Sequence, residues 1–190
     1  MKPIPTSLND ALLFEPTVFQ DERGFFLESY NRKRMEDLGV RAEFVQDNHS
    51  FSVQHVLRGL HYQIEQPQGK LVRVIAGEVL DIAVDLRRSS PTFGKWESFV
   101  LCEDNSRMLW IPPGFAHGFY VRSESAHFTY KTTAFYQPDF ERTLVWNDPE
   151  LQIDWQLRGD PVISAKDRMG LPFRSAPVFG ERTRRVRAGA

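Results

Sequence analysis

The sequence predicts a mainly β, antiparallel domain, a sandwich or closed barrel carrying a few short peripheral helices. Three observations point there. Short runs rich in Val, Ile, Phe, Tyr and Thr recur between turn residues. From Glu78 to Leu86, the residues Leu80, Ile82, Val84 and Leu86 alternate with Val79, Asp81, Ala83 and Asp85, the two-residue period of a half-buried strand. Aromatic residues make up 13% of the chain, with 15 Phe, a bias that suits sheets more than helix bundles.

Taken along the chain, the clearest helix is Asn31 to Leu38, stopped by Gly39. Strands follow at Leu71 to Ala76, Glu78 to Leu86, Trp96 to Leu101, Met108 to Ile111, Gly118 to Val121 and His127 to Tyr136. Gly77 marks the hairpin between the first two. Pro91 and Gly94, then Pro112, Pro113 and Gly114, break the later strands at intervals expected of a sandwich or barrel. A second short helix is expected near Ala165 to Met169. No repeat or low-complexity linker intervenes, so residues 1–170 read as one domain. Residues 171–190, with Arg174, Arg182, Arg184, Arg185 and Arg187, read as a solvated basic tail of unknown role.

Length and charge limit the classes of function. With 190 residues the chain supports one domain with a substantial core. Lys and Arg number 24 against 25 Asp and Glu, a net charge of -1, which leaves no footprint for nucleic acid or an anionic membrane. Cys102 is the single cysteine, so neither an internal bridge nor a thiolate metal cage can form, and a reducing, cytoplasmic compartment is expected. Met1 to Pro16 has no long apolar core, and no run of about 18 apolar residues occurs anywhere, so neither a signal nor a membrane span is expected.

Two of the five histidines, His61 and His117, stand in telling places. His61 lies in the apolar run Val56-Leu57-Arg58-Gly59-Leu60-His61, where burial would penalise both Arg58 and His61 unless they found partners. His117 follows the turn Pro112-Pro113-Gly114-Phe115-Ala116. This layout resembles that of jelly-roll domains of the cupin kind, in which such histidines point into the barrel. A metal site there needs three or four ligands, and Gln63 takes the place of the second His of a His-x-His pair, so no metal is expected. An imidazole, with an ordinary pKa of about 6.5, makes His61 the natural general base. Asp47, Asp81, Asp85 and Asp167 are candidates to orient it, and Tyr62, Tyr120, Tyr130 and Tyr136 to act as the opposing acid. Arg58 and His61 are three residues apart and would point to opposite faces of a regular strand. If both serve one cavity, the backbone must be irregular at or beside Gly59.

Eight segments in order carry a further resemblance: Phe19-Gln20-Asp21-Glu22-Arg23-Gly24-Phe25-Phe26-Leu27-Glu28-Ser29-Tyr30, Phe44-Val45-Gln46-Asp47-Asn48-His49-Ser50, Leu57-Arg58-Gly59-Leu60-His61, Gln68-Gly69-Lys70-Leu71-Val72-Arg73, Ser90-Pro91-Thr92-Phe93-Gly94, Ile111-Pro112-Pro113-Gly114-Phe115-Ala116-His117-Gly118-Phe119, Tyr130-Lys131 and Ser164-Ala165-Lys166-Asp167. To about Gly170 the chain resembles the dTDP-4-dehydrorhamnose 3,5-epimerases. The resemblance implies a cupin-like, antiparallel jelly-roll β-barrel and an isomerase without cofactor. It also implies a homodimer that exchanges N-terminal strands and a substrate, dTDP-4-dehydro-6-deoxy-D-glucose. It assigns proton removal to His61, its orientation to Asp167, proton return to Tyr130, and a place near the 4-keto oxygen to Lys70, with His117 close to the sugar. Counterparts of Arg23, Glu28, Gln46, Asp47, Asn48, Arg58, Glu141 and Lys166 hold the diphosphate and thymidine, and Tyr136 stacks on thymine. Phe135 departs from relatives that often carry a second Tyr there. Relatives that epimerise a single carbon leave a single-site epimerase as the alternative, and a sugar-nucleotide binding module without turnover is the reading from a different class.

Overall fold

A computed structural model describes residues 1–180. Strands β1 (Lys2–Pro5) and β2 (Leu12–Glu15) pair antiparallel, and β3 (Val18–Asp21) with β4 (Gly24–Leu27) forms a separate hairpin. Helix α1 (Arg32–Asp37) begins where the Asn31 side chain accepts a hydrogen bond from the Arg34 amide at 3.1 Å. It ends before Gly39, whose φ of +98° suits a residue without a Cβ.

The body consists of β5 (Gln46–Val53), β6 (Val56–Gln63), β7 (Lys70–Ala76), β8 (Glu78–Asp85), β9 (Trp96–Cys102), β10 (Met108–Ile111), β11 (Phe115–Val121) and β12 (Ser125–Thr132). It is completed by β13 (Glu141–Thr143), β14 (Val162–Ile163) and α2 (Ala165–Arg168). One sheet runs β1-β2-β10-β7-β12-β5 and the other β13-β6-β11-β8-β9, with β14 beside β6. Between β5 and β13 the chain passes repeatedly from one sheet to the other, the interleaving of an antiparallel jelly roll. The two ladders remain separate, so the barrel is the space between facing sheets and not a continuous ladder. The expected strand His127 to Tyr136 stops at Thr132, where the Gly69 amide bonds the Thr133 hydroxyl at 2.8 Å and Gln68 bonds the Ala134 carbonyl at 2.9 Å. Phe135 and Tyr136 thereby enter a loop at the barrel mouth.

The principal core fills the space between the sheets, with Val72, Val74, Leu109, Ile111 and Phe128 meeting Val79, Ala83, Leu101, Phe115 and Phe119. The alternation read in β8 is present, but both of its faces are buried. Leu80, Ile82 and Val84 lie outside the barrel against Leu144, Leu151, Trp155, Ile163 and Phe173 of the C-terminal segment. Residues 171–180, grouped with the tail by composition, belong to this cover. Leu171 bridges Leu144, Phe173 and Ala176 are buried, and Tyr62 Oη donates to the Pro177 carbonyl at 2.7 Å. Arg182, Arg184, Arg185 and Arg187 lie outside the described residues.

The irregularity expected at Gly59 is present. In the β6–β11 ladder His117 pairs with His61 and Phe119 with Arg58, two steps on one strand against three on the other. The Gly59–Leu60 peptide is cis. With the extra residue in β6, Leu57, Leu60 and Tyr62 all reach the outer core, leaving Arg58 and His61 to share the inner face. Glycine is demanded twice over: φ at Gly59 is +120°, and a Cβ there would lie 2.6 Å from Gly118 Cα. Gly24 has a similar φ of +123° but nothing within 4 Å of where a Cβ would stand. Gly24→Ala is therefore expected to cost about 1 to 3 kcal/mol in urea unfolding, from backbone strain alone. Gly59→Ala is expected to cost about 4 kcal/mol or more, and equal costs would show that the contact with Gly118 is not what requires glycine.

Candidate active site

The inner face of β6 carries His61, half-buried, whose Nε2 lies 2.6 Å from Asp167 Oδ1. Asp167 comes from 106 residues further along the chain and is itself buried. Two local features hold it there. Ser164 caps α2 by accepting the Asp167 amide at 3.1 Å, and Asp167 Oδ2 accepts the amide of Gly59 at 3.3 Å. Burial opposes a charge on Asp167, but the hydrogen bond and charge of His61, helped by the Gly59 amide and Ser164, hold its carboxyl below the usual range. Of the four aspartates read as possible partners of His61, the structure thus selects Asp167. Asp85 is occupied elsewhere, bonded to Arg87, Ser90 and Thr92.

Across the barrel, β7 and β12 supply Lys70 and Tyr130. In β12 the residues Ala126, Phe128 and Tyr130 face inward while Thr129 and Lys131 face outward, because a strand alternates its side chains. Burial raises the Tyr130 phenol above its ordinary value, with Glu141 pushing the same way and Arg58 opposing. The phenol is therefore held in its protonated, donating form at neutral pH. Lys70 is 8% exposed, and burial draws its ammonium down to about 8 against the pull of Asp81 and Glu141. Its Nζ lies 3.5 Å from the His61 carbonyl oxygen. His117 faces His61 across the β6–β11 ladder and bonds Asp81 Oδ2 through Nε2 at 2.8 Å. Burial lowers the pKa of its imidazole, and Asp81 works against that.

The mouth of the barrel gathers a second polar group. Glu141 on β13 accepts from Tyr136 Oη at 2.6 Å and pairs with Lys166. Burial resists the Glu141 charge, but these two partners hold its carboxyl low. The Tyr136 amide bonds Gln46 Oε1 at 3.0 Å, and Gln46 Nε2 donates to Asn48 Oδ1 at 2.9 Å. Arg58 donates to Ser52 Oγ at 3.0 Å and to the Phe51 carbonyl.

Three residues of the sequence-derived set do not join this group within the chain. Asp47 follows the strand alternation to the outer face of β5, where Lys131 Nζ bonds it at 2.8 Å. Arg23, at the tip of the β3–β4 hairpin, is paired with Asp21 and is largely exposed. Glu28 lies beside α1, accepting from Asn31 Nδ2 at 3.0 Å. Two residues outside the implied site set do join it, one of them Asp81, which the sequence offers only as a possible partner of His61. Asp81 holds His117, and Gln63 fixes the Tyr136 loop by donating to the Phe135 carbonyl at 3.2 Å and accepting from the Gln137 amide at 2.9 Å. The signal for Gln63 is strand period, which puts it on the same face of β6 as His61. Among the described residues no three His, Cys, Asp or Glu side chains converge as metal ligands, and no helix is long and apolar enough to cross a membrane.

The sequence and the fold match known proteins. The family model described as dTDP-4-dehydrorhamnose 3,5-epimerase matches residues 5–175. A dTDP-4-dehydrorhamnose 3,5-epimerase of Pseudomonas aeruginosa is 58% identical over 180 residues, 94% of this chain and 99% of that protein. The crystal structure of dTDP-6-deoxy-D-glucose-3,5-epimerase from Legionella pneumophila, in complex with dTDP-4-keto-L-rhamnose, aligns with a TM-score of 0.90 at 49% identity, covering 93% of this chain and 94% of that one. The structure of ChmJ, a 3'-monoepimerase from Streptomyces bikiniensis in complex with dTDP-quinovose, aligns at 0.84 with 29% identity, over 90% and 88% of the two chains. On sequence and structure together, the chain belongs to the dTDP-4-dehydrorhamnose 3,5-epimerase family.

Proposed function

We propose that the chain inverts C3 and C5 of dTDP-4-dehydro-6-deoxy-D-glucose to give dTDP-4-dehydro-L-rhamnose, in the synthesis of dTDP-L-rhamnose. The observation that carries this reading is the pair of His61 on one sheet and Asp167 on α2, with Tyr130 and the buried Lys70 on the other sheet. C3 and C5 both flank the C4 ketone, so either proton can leave with its electron pair passing to the ketone oxygen. No organic cofactor or metal is needed as electron sink. His61 takes the proton from one face, and Asp167 fixes the ring and stabilises the imidazolium that forms. The Lys70 ammonium offsets the charge that develops on the oxygen. Tyr130 returns a proton to the carbon from the opposite face, which inverts the centre; the tyrosinate then recovers a proton from solvent and the His61 imidazolium releases its own to solvent, which resets both groups. Arg58 and Lys166 supply cations for the diphosphate, and Tyr136 a stacking surface for thymine, with Gln46, Asn48 and Glu141 placing the nucleotide. We place the reaction in the cytoplasm, because the single Cys102 calls for no oxidising compartment.

We also infer that two copies complete the site. Phe19, Phe25 and Phe26 on the β3–β4 hairpin are 62%, 67% and 68% exposed, an apolar surface that a solitary chain would leave in water. Arg23 sits at the hairpin tip away from its own barrel, and β5 has an open outer edge able to accept a strand. A hairpin laid on a second copy would carry Arg23 and Glu28 to that copy's nucleotide.

Proton NMR in heavy water, with a 4-reductase trapping the product, should show deuterium at both C3 and C5. Deuterium at one carbon alone would move the assignment to a single-site epimerase like ChmJ, and none at either would reject the reaction. His61→Ala should bind substrate yet lose turnover by about 100-fold to 10,000-fold. Tyr130→Phe should continue to wash deuterium into substrate while inverted product falls, and equal loss of both would remove Tyr130 from the acid role. Light scattering should find twice the chain mass. Mixing inactive Arg23→Ala and His61→Ala chains should restore about one quarter of wild-type activity, since half of the random dimers then hold one intact site. No gain on mixing would rule out the exchange.

A further inference from the structure

Asp81 is a fully buried charge-bearing side chain on the inner face of the barrel, and the reaction outlined above gives it nothing to do. The alternation of β8 sends it inward with Val79 and Ala83, at 0% exposure. Its Oδ2 bonds His117 Nε2 at 2.8 Å, while Oδ1 is buried and has no hydrogen-bond partner. An oxygen stripped of water and left without a donor costs free energy unless a nearby cation makes up for it. Lys70 is a buried cation on which Asp81 acts through space, with no direct ion pair between them among the described residues. It projects inward from the facing sheet, and its Nζ makes one long contact, 3.5 Å to the His61 carbonyl, so its donors too are largely unspent.

We propose that Asp81 is a positioning residue for the epimerisation, fixing the His117 ring through Oδ2 and, through Oδ1, serving as the counter-charge that keeps the Lys70 ammonium charged and aimed at the ketone oxygen. The proposal rests on the epimerase reading. Asp81 touches no reacting atom and acts through Lys70 and His117. A neutral amine at Lys70 could not offset an enolate, and burial without a carboxylate favours the neutral form. Asp81 is the stronger of two anions that oppose this effect, Glu141 being the other, and burial still brings Lys70 to about 8. The remaining ionisable groups around the barrel are His61 and Arg58 from β6, Tyr130 from β12 and Asp167 from α2, the last already engaged by His61.

The sign follows from Lys70 being useful only when protonated. The Lys70 contribution to activity should be full below its pKa and fall as pH rises through about 8, and loss of the Asp81 charge should move that fall to lower pH. The test compares pH profiles of kcat and kcat/KM for wild type, Asp81→Asn and Asp81→Glu. Asparagine keeps the shape and can still bond His117, but removes the charge. Its alkaline limb should move down by about one pH unit or more. At pH 8 kcat should fall about 10-fold or more with KM changed less than about 3-fold, the deficit closing towards pH 6, and glutamate should restore much of the limb. A uniform loss at every pH with an unmoved limb would overturn the proposal and leave Asp81 as a support for His117 alone. Carbon NMR of the wild-type protein gives the same decision should Asp81→Asn fail to fold. Lys70 Cε and Asp81 Cγ should shift with a common midpoint, and a Lys70 titration to which Asp81 Cγ is blind would overturn it. Because that titration needs no substrate, absence of wild-type turnover would reject the epimerase reading without being mistaken for failure of the Lys70–Asp81 coupling.

Discussion

The close approach of Gly59 to Gly118 is the constraint on which the site depends. It admits one extra residue in β6, and that residue turns Arg58 and His61 to the same side. Without it the strand period would send one of them into the apolar outer core. The same bend presents the Gly59 amide to Asp167, so the backbone that aims the base also helps place the group that orients it. Catalytic geometry here is thus a property of a ladder fault between two strands, and the side chains inherit it.

Around that fault the polar groups are arranged in pairs of unlike charge: His61 with Asp167, His117 with Asp81, Lys166 with Glu141. Each carboxylate is buried or nearly so, and each has a cationic or cationisable partner from a different strand or helix. Buried pairs of this kind add little net stability, since desolvation consumes most of their attraction. What they supply is direction. Tyr130 belongs to the other sheet, and its position opposite His61 needs only the facing of the sheets across the core.

Much of this was legible in the amino-acid sequence. The strand from Met108 to Ile111 coincides with its expected span, helix α1 and the short helix at Ala165 lie where their caps place them, and the need for a fault at Gly59 followed from counting. Other features were hidden because they depend on distant chain. β8 reads as a half-buried strand, but the C-terminal segment covers its outer face of Leu80, Ile82 and Val84, and the end of β12 is set by Gly69 and Gln68 rather than by any residue of its own. Strand period could place Asp81 on an inner face, but not say that His117 would be its partner. It also separates Asp47, which takes the outer face of β5 with Lys131, from its inward neighbours Gln46 and Asn48. Motif resemblance treats the three as one run and does not separate them.

The span of 106 residues between His61 and Asp167 has a consequence for how the protein is made. Both sheets except β14 are encoded by residue 143, so a nascent chain can lay down most of its ladders while the last quarter is still unsynthesised. Such a chain would hold His61 without its carboxylate, and Leu57, Leu60 and Tyr62 without their cover. Long-range closure of this kind is slow and comes late. The competence to move a proton accordingly needs residues 144–180 as well as the sheets, because that segment covers the outside of the barrel and delivers Asp167 to its inside.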